Sequence, residues 1–155
     1  MLIASRIIPV STGQGIAFHE LTPALQTLVT ESGLQEGLAL VSCGHTTTAL
    51  VVNENEPRLL EDLRRFLMRL APPGAGYLHD DIELRDCPPD EPRNAHSHLV
   101  AMLLNSTETI AVAQGKLVLG TWQSLLLVEL DGPRERSIHV QLLGSAAGFS
   151  CRTKA

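Results

Sequence analysis

Apolar and polar positions follow two periods along this chain, and each change of period marks an element. Ile3 to Val10 reads as a strand ending near Pro9, and Ile16 to His19 as a second short strand after Gly13 and Gly15. A helical spacing follows. Leu21, Leu25, Leu28 and Val29 share one face, Thr22-Pro23 is a start signal with Thr22 as cap, and Gly33 is the stop. Leu38 to Ser42 and Ala49 to Val52 are short apolar runs of strand type. The clearest helix is Pro57 to Leu70. Leu59, Leu60, Leu63, Phe66, Leu67 and Leu70 form its stripe, Arg58, Glu61, Arg64, Arg65 and Arg69 lie mostly off it, and Asn55 or Glu56 is placed to cap it. Asn94 is placed to cap a third helix, from Ala95 to about Leu104. Ile110 to Ala113, the turn Gln114-Gly115 and Lys116 to Leu119 predict a hairpin. Trp122 to Leu130 and Ser137 to Leu143 are the last strands, divided by Asp131-Gly132-Pro133. In the final one Ile138, Val140 and Leu142 alternate with His139 and Gln141, as in a half-exposed strand.

Strands mixed with helices, ending in consecutive strands, predict an α+β fold with a mostly antiparallel sheet. The 155 residues suit a single domain spanning 1–155, because the Pro- and Gly-rich stretches 71–76 and 87–92 divide it into pieces too small for separate cores. Apolar residues make up 44% but aromatics only 3%, so the core is aliphatic. A net charge of −5 with no basic run argues against extended nucleic-acid binding. The N-terminus has no signal-peptide pattern, and the longest apolar run, Leu99 to Leu104, is far too short to span a bilayer. The cysteines, Cys43, Cys87 and Cys151, are odd in number and lack Cys-x-x-Cys spacing, which disfavours a disulfide framework and a thiolate zinc site. Reduced cytosol is the simplest reading, with Cys43 a small core residue.

The chemistry is expected around histidines from three segments. His45 follows a strand and a glycine, which presents its ring at the sheet edge. His79 stands beside Asp80 and Asp81 after a Gly-rich loop, and His96 and His98 bracket a helix start. Positions two apart on a helix point about 200° from each other, so only one of that pair can join a given site. Three neutral imidazoles with an open position are the catalytic-zinc arrangement. Glu129 shares a strand face with Leu125 and Leu127, so its carboxylate lies at a wet end or is paired with a cation or metal. Trp122, set in Gly120-Thr121-Trp122-Gln123, is an aromatic plug or a stacking surface for a flat heterocycle. Asn53-Glu54-Asn55-Glu56 follows a strand directly, and Arg134 and Arg136 flank a turn where they are able to hold phosphate.

Taken in order, these segments resemble the YjbQ family, often described as secondary thiamine-phosphate synthase. The resemblance rests on His45-Thr46-Thr47, Asn53-Glu54-Asn55, Asp62, Tyr77-x-His79-Asp80, Ser97-His98-Leu99, Gly115, Gly120-Thr121-Trp122-Gln123 and Glu129, and covers residues 16 to 144. One departure is Asn105, where the family usually has glycine; Asn tolerates left-handed backbone. The resemblance implies an α+β fold on an antiparallel β-sandwich-like core with two to three flanking helices, assembled as a homotrimer. It implies a divalent metal, zinc or magnesium, at His45, His79 and His98, with His45, His79, Asp80 and Glu129 in catalysis. Thr47, Asn53, Glu54, Tyr77, Thr121, Trp122, Gln123 and Arg134 would contact a small phosphorylated substrate. The implied reaction joins hydroxymethylpyrimidine diphosphate to thiazole phosphate with release of pyrophosphate, in the cytoplasm, without nucleic acid or membrane as partner. A metal-dependent hydrolase of a small substrate, or a non-catalytic metal- or ligand-binding trimer, is the alternative.

Overall fold

The computed structural model describes residues 1–146; Cys151 lies outside them. Its strands are β1 (Leu2–Ser11), β2 (Gly15–Glu20), β3 (Glu36–Cys43), β4 (Thr48–Asn53), β5 (Thr107–Ala113), β6 (Lys116–Leu117), β7 (Ser124–Gly132) and β8 (Glu135–Ser145). The helices are α1 (Thr22–Ser32), α2 (Pro57–Leu70) and α3 (Ala95–Ala101), with 3₁₀ turns at Leu78–Asp80 and Ile82–Leu84.

Two antiparallel sheets face each other, one ordered β1-β8-β3-β5-β6 and the other β2-β7-β4. This is the expected α+β sandwich. Alternation builds the space between them. Ala39, Val41, Ile110, Val112, Ile138, Val140 and Leu142 point inward from the larger sheet onto Leu50, Leu125 and Leu127 of the smaller, and Leu25 and Val29 of α1 close one end. The smaller sheet has a second apolar face. Ala49, Val128 and Leu130 pack there beneath Leu67 and Ala71 at the end of α2 and Val100 of α3. Buried on both sides, β7 therefore reads as an unbroken apolar run, Leu125 to Val128, where an outer strand would alternate. The outer face of the five-stranded sheet has no such cover: Ile3, Ile7 and Leu38 lie exposed on it.

Local signals decide the ends. Gly33 takes the left-handed C-cap conformation, φ 73°, and Gln114 (φ 51°) with Gly115 (φ 73°) makes the hairpin turn. Glu56 caps α2, its carboxylate accepting from the backbone N–H groups of Arg58 and Leu59. Two capping expectations are corrected. Thr22 is not the cap of α1: the cap position is Leu21, and the Thr22 hydroxyl accepts from Leu125 N instead. Asn94 occupies the cap position of α3, but its side chain donates to Asp131, and Asp80 Oδ1 accepts from Ala95 N in its place. The third helix also ends at Ala101 rather than near Leu104, β6 stops at Leu117, and β7 starts at Ser124 rather than Trp122.

Candidate functional site

The smaller sheet has two ends, and they receive different predicted residues. At one end β4 begins at Thr48, paired across from Glu129 of β7. The segment 44–47 enters here from β3, and α3 and the 3₁₀ turn at Leu78–Asp80 close over it.

His45 is half-buried, and its Nε2 accepts from Ser137 N at 3.3 Å, so that nitrogen carries a lone pair. The hydroxyl of Thr48 donates to His45 O at 3.3 Å and lies 2.7 Å from Cys43 Sγ, which fixes the turn around the imidazole. Burial holds the His45 pKa below its ordinary value, helped by the nearby Arg136 guanidinium; Glu129 acts in the opposite direction. His98, on α3, is depressed in the same sense, first by burial and then by His79. The His79 and His98 rings meet edge to face, with centroids 4.8 Å apart. His79 Nε2 is buried with no hydrogen-bond partner.

A cleft of about 440 Å³ with largely apolar walls runs between segment 43–48 and α3, and His45 and His98 both line it. A neighbouring hollow of about 360 Å³ is lined by Tyr77, His79 and His98 among others, so His98 faces both. The three histidines come to one region but not to one point. Among the described residues, no three His, Cys, Asp or Glu side chains are grouped so as to hold one metal ion.

Beneath the cleft lies a buried polar network. Glu129 is fully buried and accepts from Arg136 Nε and Nη2, both at 2.7 Å. Arg136 Nη2 also donates to the Thr47 hydroxyl at 3.0 Å, and Leu130 N to Thr47 O at 3.1 Å, so the network holds the segment that carries His45. Sequence reading placed Arg136 beside a turn, as a phosphate-holding group or a plain surface charge; it is instead buried against Glu129. Its parity with Ile138 and Val140 was the signal that it points inward. Asp80 is nearly buried and spends one oxygen on the α3 N-terminus, while Arg93 donates to its backbone carbonyl and Arg85 donates to His79 O. Arg134 is exposed and paired with Asp131 at 2.9 Å.

The remaining predicted substrate residues sit at the other end. Asn53 is five residues along β4 from Thr48, about 17 Å at strand rise, and pairs with Ser124. Glu54, Thr121, Trp122 and Gln123 adjoin that far end. Trp122 is 72% exposed, which rules out the plug over the core. Asn53 Oδ1 accepts from Glu54 N and Gln123 Oε1 from Gly120 N, so both amides close local turns. Asp62 lies exposed on α2.

Comparison with known proteins places this sandwich in a class. The chain belongs to the YjbQ family: the model described as UPF0047 protein YjbQ-like matches residues 6–145. A UPF0047 protein of Methanothermobacter thermautotrophicus is 36% identical over 144 residues, covering 93% of this chain and 94% of that one. Another from Archaeoglobus fulgidus is 41% identical over 136 residues, covering 88% and 98%. The crystal structure of a YbjQ-like protein from Sulfolobus solfataricus superposes with TM-score 0.82 at 38% identity, over 92% of this chain and 98% of that one. These likenesses confirm the family and the fold but overturn the expected reaction. The family description and the relatives' names carry no activity, and the Sulfolobus protein is described as of unknown function. Neither thiamine-phosphate synthase transfer nor metal-dependent hydrolysis has support among them.

No helix among the described residues is long and apolar enough to cross a membrane.

Proposed function

We propose that the cleft between segment 43–48 and α3 binds a small phosphorylated molecule. The observation that carries this reading is the cleft itself: about 440 Å³, with largely apolar walls, and with His45, Thr46, Thr48, His98 and Ser106 as its polar lining residues. Few polar groups in an apolar concavity are the usual make-up of a small-molecule site. The apolar body of the ligand lies against Cys43, Ala101 and Met102, and its phosphate faces His98, on which Arg85 also acts electrostatically. Calorimetric titration with phenyl phosphate, with phenol as the uncharged control, tests this. We expect phenyl phosphate to bind and His98→Ala and His45→Ala each to weaken it about ten-fold, the value of one hydrogen bond. Equal affinity for phenol, or unchanged affinity in both variants, would sink the reading.

A divalent metal is the second reading, favoured by the buried unpartnered Nε2 of His79 beside the His98 ring. Two imidazoles suit zinc, not magnesium, and leave the other positions to a ligand from outside this group. Elemental analysis of the native protein against His79→Ala checks it: equal zinc in both removes the proposal. We also propose that the chain assembles as a homotrimer through the uncovered face of the larger sheet, and that it works in the cytoplasm, where Cys43 and Cys87 stay free thiols.

A further inference from the structure

The His45 ring is held in one proton arrangement. Its Nε2 lies 3.3 Å from the Ser137 backbone nitrogen, whose hydrogen points at it. A backbone N–H only donates, so Nε2 supplies the lone pair, and the single hydrogen of a neutral imidazole sits on Nδ1. Burial and the Arg136 guanidinium keep the ring neutral by holding its pKa below the ordinary value. Among the described residues no group bonds Nδ1, and unlike His79 Nε2 it is not sealed off from solvent. His45 lines the cleft, so that N–H is a donor without an acceptor in a wall that is otherwise largely apolar.

The charges around this donor cancel. Arg136 is spent on Glu129, with two bonds of 2.7 Å. His139, the remaining titratable neighbour, is exposed on the outer face of the larger sheet. From α3 the cleft receives His98, whose pKa is also lowered. His96, two positions away and about 200° around the helix, lines a separate cavity. The other polar groups of the cleft are the neutral hydroxyls of Thr46, Thr48 and Ser106.

Three kinds of acceptor compete for such a donor. An anion at Nδ1 would draw a second proton onto the ring. Nε2–H would then meet Ser137 N–H, donor against donor. A hydroxyl brings a hydrogen of its own, which needs an acceptor once the apolar walls exclude water. A carbonyl oxygen accepts and brings neither cost.

We propose that the molecule bound in this cleft carries a carbonyl group whose oxygen accepts from His45 Nδ1. This rests on the reading of the cleft as a small-molecule site, and it gives the carbonyl to His45 while the phosphate keeps to His98. Ser137 N–H is the positioning group, because it fixes which nitrogen of His45 donates.

Long-range ¹H–¹⁵N correlation spectra of ¹⁵N-labelled protein at about pH 7.5 read the tautomer directly. The His45 resonances are those missing from His45→Leu, and the hydrogen is expected on Nδ1. Titration then uses two uncharged probes: acetophenone, which has a carbonyl, and methyl phenyl carbinol, in which a hydroxyl takes its place. Acetophenone is expected to shift the His45 Nδ1 resonance saturably and to bind about ten-fold more tightly than the alcohol. In His45→Leu that preference is expected to vanish. A hydrogen on Nε2, absence of a saturable shift, equal affinity of the native protein for the two probes, or a preference retained in His45→Leu each overturns the proposal. Neither probe carries phosphate, so failure of the phosphate reading, tested with phenyl phosphate, leaves these outcomes intact.

Discussion

Glu129 has no exposure, yet its carboxylate accepts five hydrogen bonds: two from Arg136 and one each from the Thr12 hydroxyl, Leu130 N and Asp131 N. Burial alone would raise its pKa, but the Arg136 guanidinium and the other donors outweigh burial and bring it below the ordinary carboxylate value. Such a group is saturated, and its work is to hold Arg136 and, through it, Thr47. Removing one partner leaves the other as an uncompensated buried charge, so Glu129→Gln should cost about 3–5 kcal/mol in urea unfolding. A change under about 1 kcal/mol would show the pair to be dispensable. The histidines set a different pH window. His45 and His98 have folded pKa values below the unfolded value of about 6.5, so the unfolded chain binds more protons as pH falls through that value. Stability is expected to decline from about pH 6.5 downward, before Glu129 begins to protonate. His45→Gln, which keeps an acceptor for Ser137 N, should flatten the slope of melting temperature between pH 7 and 5.5. An unchanged slope would remove His45 from this account. At this scale much was legible: Glu129 and Arg136 each share parity with inward-facing residues of their strands. Their partnership was not, because nothing in the spacing tells which charge meets which.

Among the elements, the bounds Pro57–Leu70 of α2 were the most legible, but of its predicted stripe only Leu67 is buried, and Phe66 and Leu70 stay about half exposed. Its start depends on Glu56, which satisfies two backbone N–H groups. Glu56→Ala should lower stability by about 0.5–2 kcal/mol, measured by thermal unfolding; no loss would mean that water satisfies those groups equally well. The start of α3 shows why caps mislead when read locally. Asn94 has the right chemistry in the right place, but Asp80, distant in sequence, takes the Ala95 N–H and leaves Asn94 to bond Asp131. A cap is local only when no tertiary partner competes. The outcome at His96 and His98 was legible, since helix geometry alone separates them.

For the whole molecule, the sandwich leaves one broad surface uncovered. Ile3 and Ile7 of β1 and Leu38 of β3 lie exposed on the outer face of the larger sheet, among the polar His139 and Gln141 of β8, and the proposed trimer would bury them. Ile7→Lys combined with Leu38→Glu is expected to reduce the mass measured by light scattering from that of a trimer to that of a monomer, with the far-ultraviolet dichroism retained. A native protein already monomeric at micromolar concentration would end the trimer proposal.

By itself the sequence determined the period of each element, the antiparallel α+β class, the aliphatic core and the glycine-dependent turns, because each follows from side-chain spacing and backbone freedom within a few residues. The tertiary structure alone decided which motif residues are neighbours. His45, His79 and His98 are gathered at one end of the smaller sheet, while Asn53, Glu54 and Trp122 go to the other, although all belong to one ordered set of motifs. A strand carries its two ends about 17 Å apart whatever its sequence, and only sheet pairing fixes what each end meets.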